Sequence, residues 1–123
     1  MSMDKRRYPR IGPVLVRADC HLGDQNWEGY LTSLSEGGAY LVTDEPLVVG
    51  ATLSLQFLLP WQLGNIEAEA KIVYAVSESD PRPDGYPAGV GLAFVSPSAE
   101  LVEKLRRYVV RFQEFASQLS AST

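Results

Sequence analysis

The 123-residue chain has one cysteine, one histidine and two methionines. With a single thiol, Cys20, no disulfide can form within the chain, and a metal site lacks its usual set of soft ligands. His21 is the sole histidine, and its position next to Cys20 has no metal-ligand spacing; the pair reads as a solvated turn. Nor is there a nucleophile with a base at a recognisable distance, so catalysis is not expected. Long apolar runs are also missing. Stretches such as Leu47 to Val49 and Phe57 to Trp61 are far too short to cross a bilayer, and residues 1–12 have no apolar segment of the secretory kind, which points to a cytoplasmic protein without membrane insertion.

Positive charge is scarce along most of the chain. Between Ala18 and Glu103 only Lys71 and Arg82 are basic, against thirteen acids, whereas the first seventeen residues carry net +4 and the last twenty net +3 within a total of −4. Long nucleic acids are bound through many simultaneous phosphate contacts and need an extended basic face. This distribution excludes them. A small anion needs only a few arginines.

What is present is an ordinary globular composition, 46% hydrophobic and 21% charged, at a length that fits one core. Ile66, Ala68, Ala70, Ile72, Tyr74 and Val76 alternate with a mostly polar set, which places them on one face of a long strand. Leu53, Leu55, Phe57 and Leu59 alternate likewise in a strand that stops at Pro60, and Trp61 to Asn65 turns the chain back into an antiparallel neighbour. Further β-rich runs occur around Val14 to Val16, at Trp27 to Thr32, at Ala39 to Thr43 and at Val90 to Phe94. Turn residues separate them, notably Gly23-Asp24, Gly37-Gly38, Gly50 and the Asp80 to Pro87 stretch, which reads as an exposed loop. Six strands without intervening helices make a small antiparallel barrel or sandwich.

After Ser96-Pro97 the period changes. Leu101, Leu105, Tyr108, Val109, Phe112, Phe115 or Ala116, and Leu119 form one stripe of an amphipathic helix over 97–119, with Ser96 or Ser98 as cap. Arg106, Arg107 and Arg111 fall on its polar sides as a solvated face. The stripe is wide enough that both a monomer and a homodimer are compatible with it. Trp61 is expected on the rim of the barrel, and Trp27, Tyr30, Tyr40 and Phe94 in core or cross-strand packing.

Two short elements carry polar and cationic groups that a barrel does not require. Arg6-Arg7-Tyr8-Pro9-Arg10 precedes the first strand, and Ser33-Leu34-Ser35-Glu36-Gly37-Gly38 joins the second to the third. With Gly89-Val90-Gly91-Leu92-Ala93-Phe94 they resemble the PilZ domain family from about Lys5 to Phe94. That resemblance implies a mainly β fold, a six-stranded antiparallel β-barrel over 13–96 with a C-terminal α-helix. It also implies a non-enzymatic bacterial second-messenger receptor whose ligand is cyclic di-GMP and which passes its signal to an effector protein. No cofactor beyond that ligand is implied.

Arg6 and Arg10 match the family's R-x-x-x-R, with Arg7 a further cation, in a basic strap over 1–12. Guanidinium can grip a phosphate or the O6 and N7 edge of guanine, and it can stack on the purine. Ser35 and Gly38 match the family's [D/N]-x-S-x-x-G, and Ser33 stands where Asp or Asn is expected. The implied ligand-binding residues are therefore Arg6, Arg7, Arg10, Ser33, Ser35 and Gly38. The departure at Ser33 keeps a second reading alongside the first, a protein-interaction adaptor that retains the scaffold and not the nucleotide. A tight turn needing Ser and Gly accounts for the second motif equally well.

Overall fold

The computed structural model describes residues 15–81 and 85–121. In chain order the elements are β1 (Val16–Leu22), β2 (Gln25–Thr32), β3 (Gly38–Val42), β4 (Thr52–Leu59), β5 (Gly64–Val76), β6 (Gly89–Phe94) and α1 (Ala99–Ala121). All strand pairs are antiparallel, and the sheet closes on itself in the order β1-β2-β3-β6-β5-β4. Of the two architectures that six strands allow, the molecule forms the barrel. Closure gives every described strand a neighbour on both sides.

Alternation builds the interior. In β4, Leu53, Leu55, Phe57 and Leu59 are buried between exposed neighbours, and they meet Val16, Ala18 and Cys20 of β1, Leu31 of β2, Leu41 of β3 and Val90, Leu92 and Phe94 of β6. Each Leu, Val or Phe among them contributes about 1.5–3 kcal/mol on removal from water, before chain entropy is charged against it.

Two sequence expectations need correction. Cys20 and His21 are not in a turn: β1 starts at Val16 and runs through both of them to Leu22. Val16, Ala18 and Cys20 point inward while Arg17, Asp19 and His21 point out, so three polar residues hid a regular alternation. In β5 the alternation holds through Ile72 and then slips. Ile72 pairs with Leu92 and Tyr74 with Gly91, which leaves Val73 as a β-bulge. A bulge moves everything after it to the opposite face. Tyr74 is 47% exposed and lies on the outside, rather than on the face of Ile66, Ala70 and Ile72.

α1 follows its stripe. Leu101, Leu105 and Tyr108 join the barrel core, Val109 and Phe112 pack against it, and of the pair Phe115 and Ala116 it is Ala116 that is buried. Ser98 caps the helix, its Oγ accepting from the Leu101 N–H at 3.0 Å, with Pro97 just ahead of it. The helix leans on the turn between β4 and β5. There Leu63 N–H donates to the Pro60 carbonyl at 3.3 Å, and Trp61 and Gln62 both have left-handed backbone, φ 59° and 61°. Trp61 is half-buried against Tyr108 and Phe115, with the Arg111 guanidinium 5.7 Å from its ring centroid. It is the rim residue its position after Pro60 implied.

The strand directions place several segments at one end of the barrel: the start of β1, the β2–β3 turn, the β4–β5 turn, the end of β6 and α1 beyond it.

Candidate ligand-binding site

The β2–β3 turn, 33–37 with Gly38 opening β3, is the exposed polar feature of that end. Its shape follows from four local constraints. Ser33 has φ 54°, a left-handed conformation that lets the chain leave β2 abruptly. Leu34 then drops into the core and anchors the turn. Ser35 N–H donates to the Gly38 carbonyl at 2.9 Å, and the Ser35 hydroxyl accepts from Gly37 N–H at 3.3 Å while lying 3.4 Å from the same Gly38 carbonyl. Gly37 accepts at its carbonyl from Phe94 N–H at 2.9 Å, which ties the turn to β6.

Gly38 serves closure. Its φ is not left-handed, but a Cβ built on it would overlap the carbonyl oxygen of Leu92 on β6. The glycine lets β3 and β6 approach, which is a requirement of the barrel itself. Ser33, Ser35, Glu36 and Gly37 face solvent, and Gly38 is buried.

The structure thus brings Ser33, Ser35 and Gly38 together in one turn; Arg6, Arg7 and Arg10, with the rest of the expected strap, lie outside the described residues. Register fixes where the first described strand begins relative to the turn. Val16, the first residue of β1, pairs with Leu31, two residues before Ser33.

Two further cations belong to this region and were missed by motif reading. Lys71 of β5 pairs with Ala93, which pairs with Gly38. Its side chain is exposed on the outer face, two strand spacings or about 10 Å from the turn. Its signal in the sequence was its isolation within a long acidic stretch. Arg106 of α1 contacts Glu36 of the turn, Nε to Oε2 at 3.3 Å and Nη2 to Oε1 at 3.5 Å. No local pattern could announce that pair.

Below the turn, the outer face of β3, β5 and β6 carries a tyrosine cluster. Tyr40 stacks with Tyr74 at 6.2 Å and meets Tyr86 at 5.3 Å between centroids, and its hydroxyl donates to the Pro87 carbonyl at 2.8 Å. Gly91 leaves the floor bare so that the Tyr74 ring can lie on it. The bulge at Val73 is what delivers Tyr74 here.

Elsewhere the chemistry is muted. Cys20 is fully buried, and burial, with the Asp19 charge beside it, pushes its thiol up to about 11. His21 hydrogen-bonds Asn26 on the outer face. Among the described residues no three His, Cys, Asp or Glu side chains gather as a metal site requires, and no helix is long and apolar enough to cross a membrane.

A barrel of this topology with its β2–β3 turn and added helix defines a class. The profile of the PilZ domain family matches residues 4–111, and the chain belongs to that family. No curated protein matches the chain in sequence. Among solved structures, the PilZ domain with c-di-GMP of YcgR from Escherichia coli is similar with TM-score 0.65 and 21% identity, over 97% of this chain and 98% of that one. YcgR in complex with c-di-GMP from the same organism is similar with TM-score 0.69 and 19% identity, covering 96% of this chain and 50% of the other. The Bacillus subtilis inhibitor of motility, MotI/DgrA, gives TM-score 0.67 and 20% identity over 88% of this chain and 53% of its own. This chain therefore spans about half the length of the last two.

Proposed function

We propose that this protein is a non-enzymatic cytoplasmic receptor for cyclic di-GMP that passes the signal to an effector protein. The observation that carries the reading is the β1–β2 register. It starts the first strand, which follows Arg6 to Arg10 in the sequence, at the end of the barrel that presents the Ser33–Gly38 turn. In this reading Arg6, Arg7 and Arg10 supply the cations, with Lys71 as a further one on the outer face. Ser33 supplies a short polar group at the exposed turn. Ser35 and Gly38 shape the turn. A ligand with two phosphates and two flat purines suits a few guanidinium groups beside short polar ones. Ordering of the strap over the turn would change the surface offered to a partner. YcgR, similar in fold, is described as bound to c-di-GMP, which supports the same ligand class here.

Titration calorimetry with cyclic di-GMP tests this directly. Saturable binding that is lost in Arg6→Ala and Arg10→Ala is expected, and no saturable heat at high micromolar ligand would sink the reading.

One observation favours the alternative, an adaptor that does not bind the nucleotide. Ser35 is engaged within the turn and Gly38 is needed for closure, so both have work in an unliganded barrel. Association with a partner that proceeds identically with and without the nucleotide would select that alternative.

A further inference from the structure

Glu36 stands in the middle of the candidate turn, one residue after Ser35, and is half exposed. Any doubly negative ligand approaching Ser33 to Gly37 meets this carboxylate. Against it, from α1, comes Arg106, whose Nε and Nη2 reach the two oxygens of Glu36 at 3.3 and 3.5 Å. The same guanidinium holds Glu103 Oε1 through Nη1 at 3.3 Å, and the other Glu103 oxygen holds Arg107 Nε at 3.3 Å. The four side chains form a neutral row, Glu36, Arg106, Glu103 and Arg107, that begins in the turn and continues along the helix.

Exposed ion pairs contribute little to stability, so folding alone gives weak reason for this arrangement. A fork-to-fork contact between elements seventy positions apart does fix direction, however. The guanidinium holds the Glu36 carboxylate against α1, while Ser33, Ser35 and Gly37 of the same turn are exposed.

Resting on the reading of this turn as the cyclic di-GMP site, we infer that Arg106 is a positioning residue of that site, which neutralises Glu36 and holds it on the helix side. Without Arg106 the carboxylate is released toward an incoming phosphate, and like charges a few ångströms apart near a protein surface cost a few-fold in affinity or more. Arg106 then acts through Glu36 and does not touch the ligand. Remove the negative charge from Glu36 and Arg106 loses its task.

The test is a double-mutant cycle. Calorimetric affinities for cyclic di-GMP are compared for the wild-type chain, Glu36→Gln, Arg106→Ala, Arg106→Lys and the double variant Glu36→Gln/Arg106→Ala, at low and high salt, with a thermal melt of each. Arg106→Ala is expected to bind about three- to ten-fold more weakly at low salt, with the gap narrowing at high salt as screening sets in. Glu36→Gln should bind at least as tightly as wild type, the double variant should match Glu36→Gln, and Arg106→Lys should recover part of the loss. The inference is overturned if Arg106→Ala binds like wild type, or if it weakens binding as much in the Glu36→Gln background as in the wild-type chain. If the Ala variant does not fold, Arg106→Lys with and without Glu36→Gln runs the same comparison. A wild-type chain that does not bind removes the reading of the site and this inference with it, whereas a wild type that binds among indifferent variants removes this inference alone.

Discussion

Trp61 and Tyr108 meet with ring centroids 5.7 Å apart, and this contact joins the β4–β5 turn of the barrel to the helix that packs across its end. The turn takes left-handed backbone at two residues that are not glycine, at about 1–2 kcal/mol each, and packing of Trp61 on α1 offsets it. The two contributions can be separated. Trp61→Ala keeps the backbone requirement and loses the packing, so a loss of about 2–3 kcal/mol is expected in denaturant unfolding. Gln62→Gly removes one left-handed penalty at an exposed position and should raise stability by about 0.5–1 kcal/mol. A destabilised Gln62→Gly variant would contradict the left-handed assignment.

Ser33 holds φ 54° with a side chain that does not favour it. Asn enters this region several-fold more readily, and it also restores the residue type that the family motif carries. Ser33→Asn is expected to stabilise the protein by about 0.5 kcal/mol and to tighten cyclic di-GMP binding. Melting temperature and calorimetric affinity should rise together; a gain in neither would separate this position from both turn and ligand.

Gly38→Ala is expected to damage the barrel itself. The added carbon overlaps Leu92 main chain, which cannot swing aside as a side chain would. A loss of about 3 kcal/mol or more, or failure to fold, should appear in circular dichroism and melting before any ligand is added. A well-folded Gly38→Ala protein that lacks only ligand binding would reverse the assignment of this glycine.

Cys20 sets a pH limit. The folded state keeps its proton to about 11, whereas the unfolded chain releases it near the ordinary value of 9.0. Between those values the unfolded state carries fewer protons, so stability falls as pH rises through that window. Cys20→Ala should flatten this part of the profile, although it also leaves a small cavity. The native thiol should resist alkylation at pH 8 and react once the protein is unfolded, as followed by mass spectrometry.

Legibility in the sequence followed the physics of each feature. Leu53 to Leu59 and Ile66 to Ile72 alternate cleanly because one face is core and the other wet, and those strands are where the pattern puts them. Cys20 and His21 have the composition of a turn, yet only every second residue of a barrel strand must be apolar. The bulge at Val73 leaves no mark in a period-two pattern, so Tyr74 was placed on the wrong face. Ser33, Ser35 and Gly38 were recognisable as a motif, but their separate tasks, left-handed backbone, turn bonding and strand approach, are properties of coordinates. Glu36 with Arg106 is a tertiary pair between distant segments and has no local signature.

The approach of Gly38 to Leu92 has a consequence for how such chains are sorted. A signature residue that also closes the scaffold is kept by any descendant that still folds, whether or not it answers to a nucleotide. Its presence therefore follows from the need to fold and is not by itself a mark of signalling. On the proposed reading the discriminating position is the exposed Ser33, where a substitution such as Asn shifts stability by only about 0.5 kcal/mol and its larger effect would fall on the ligand.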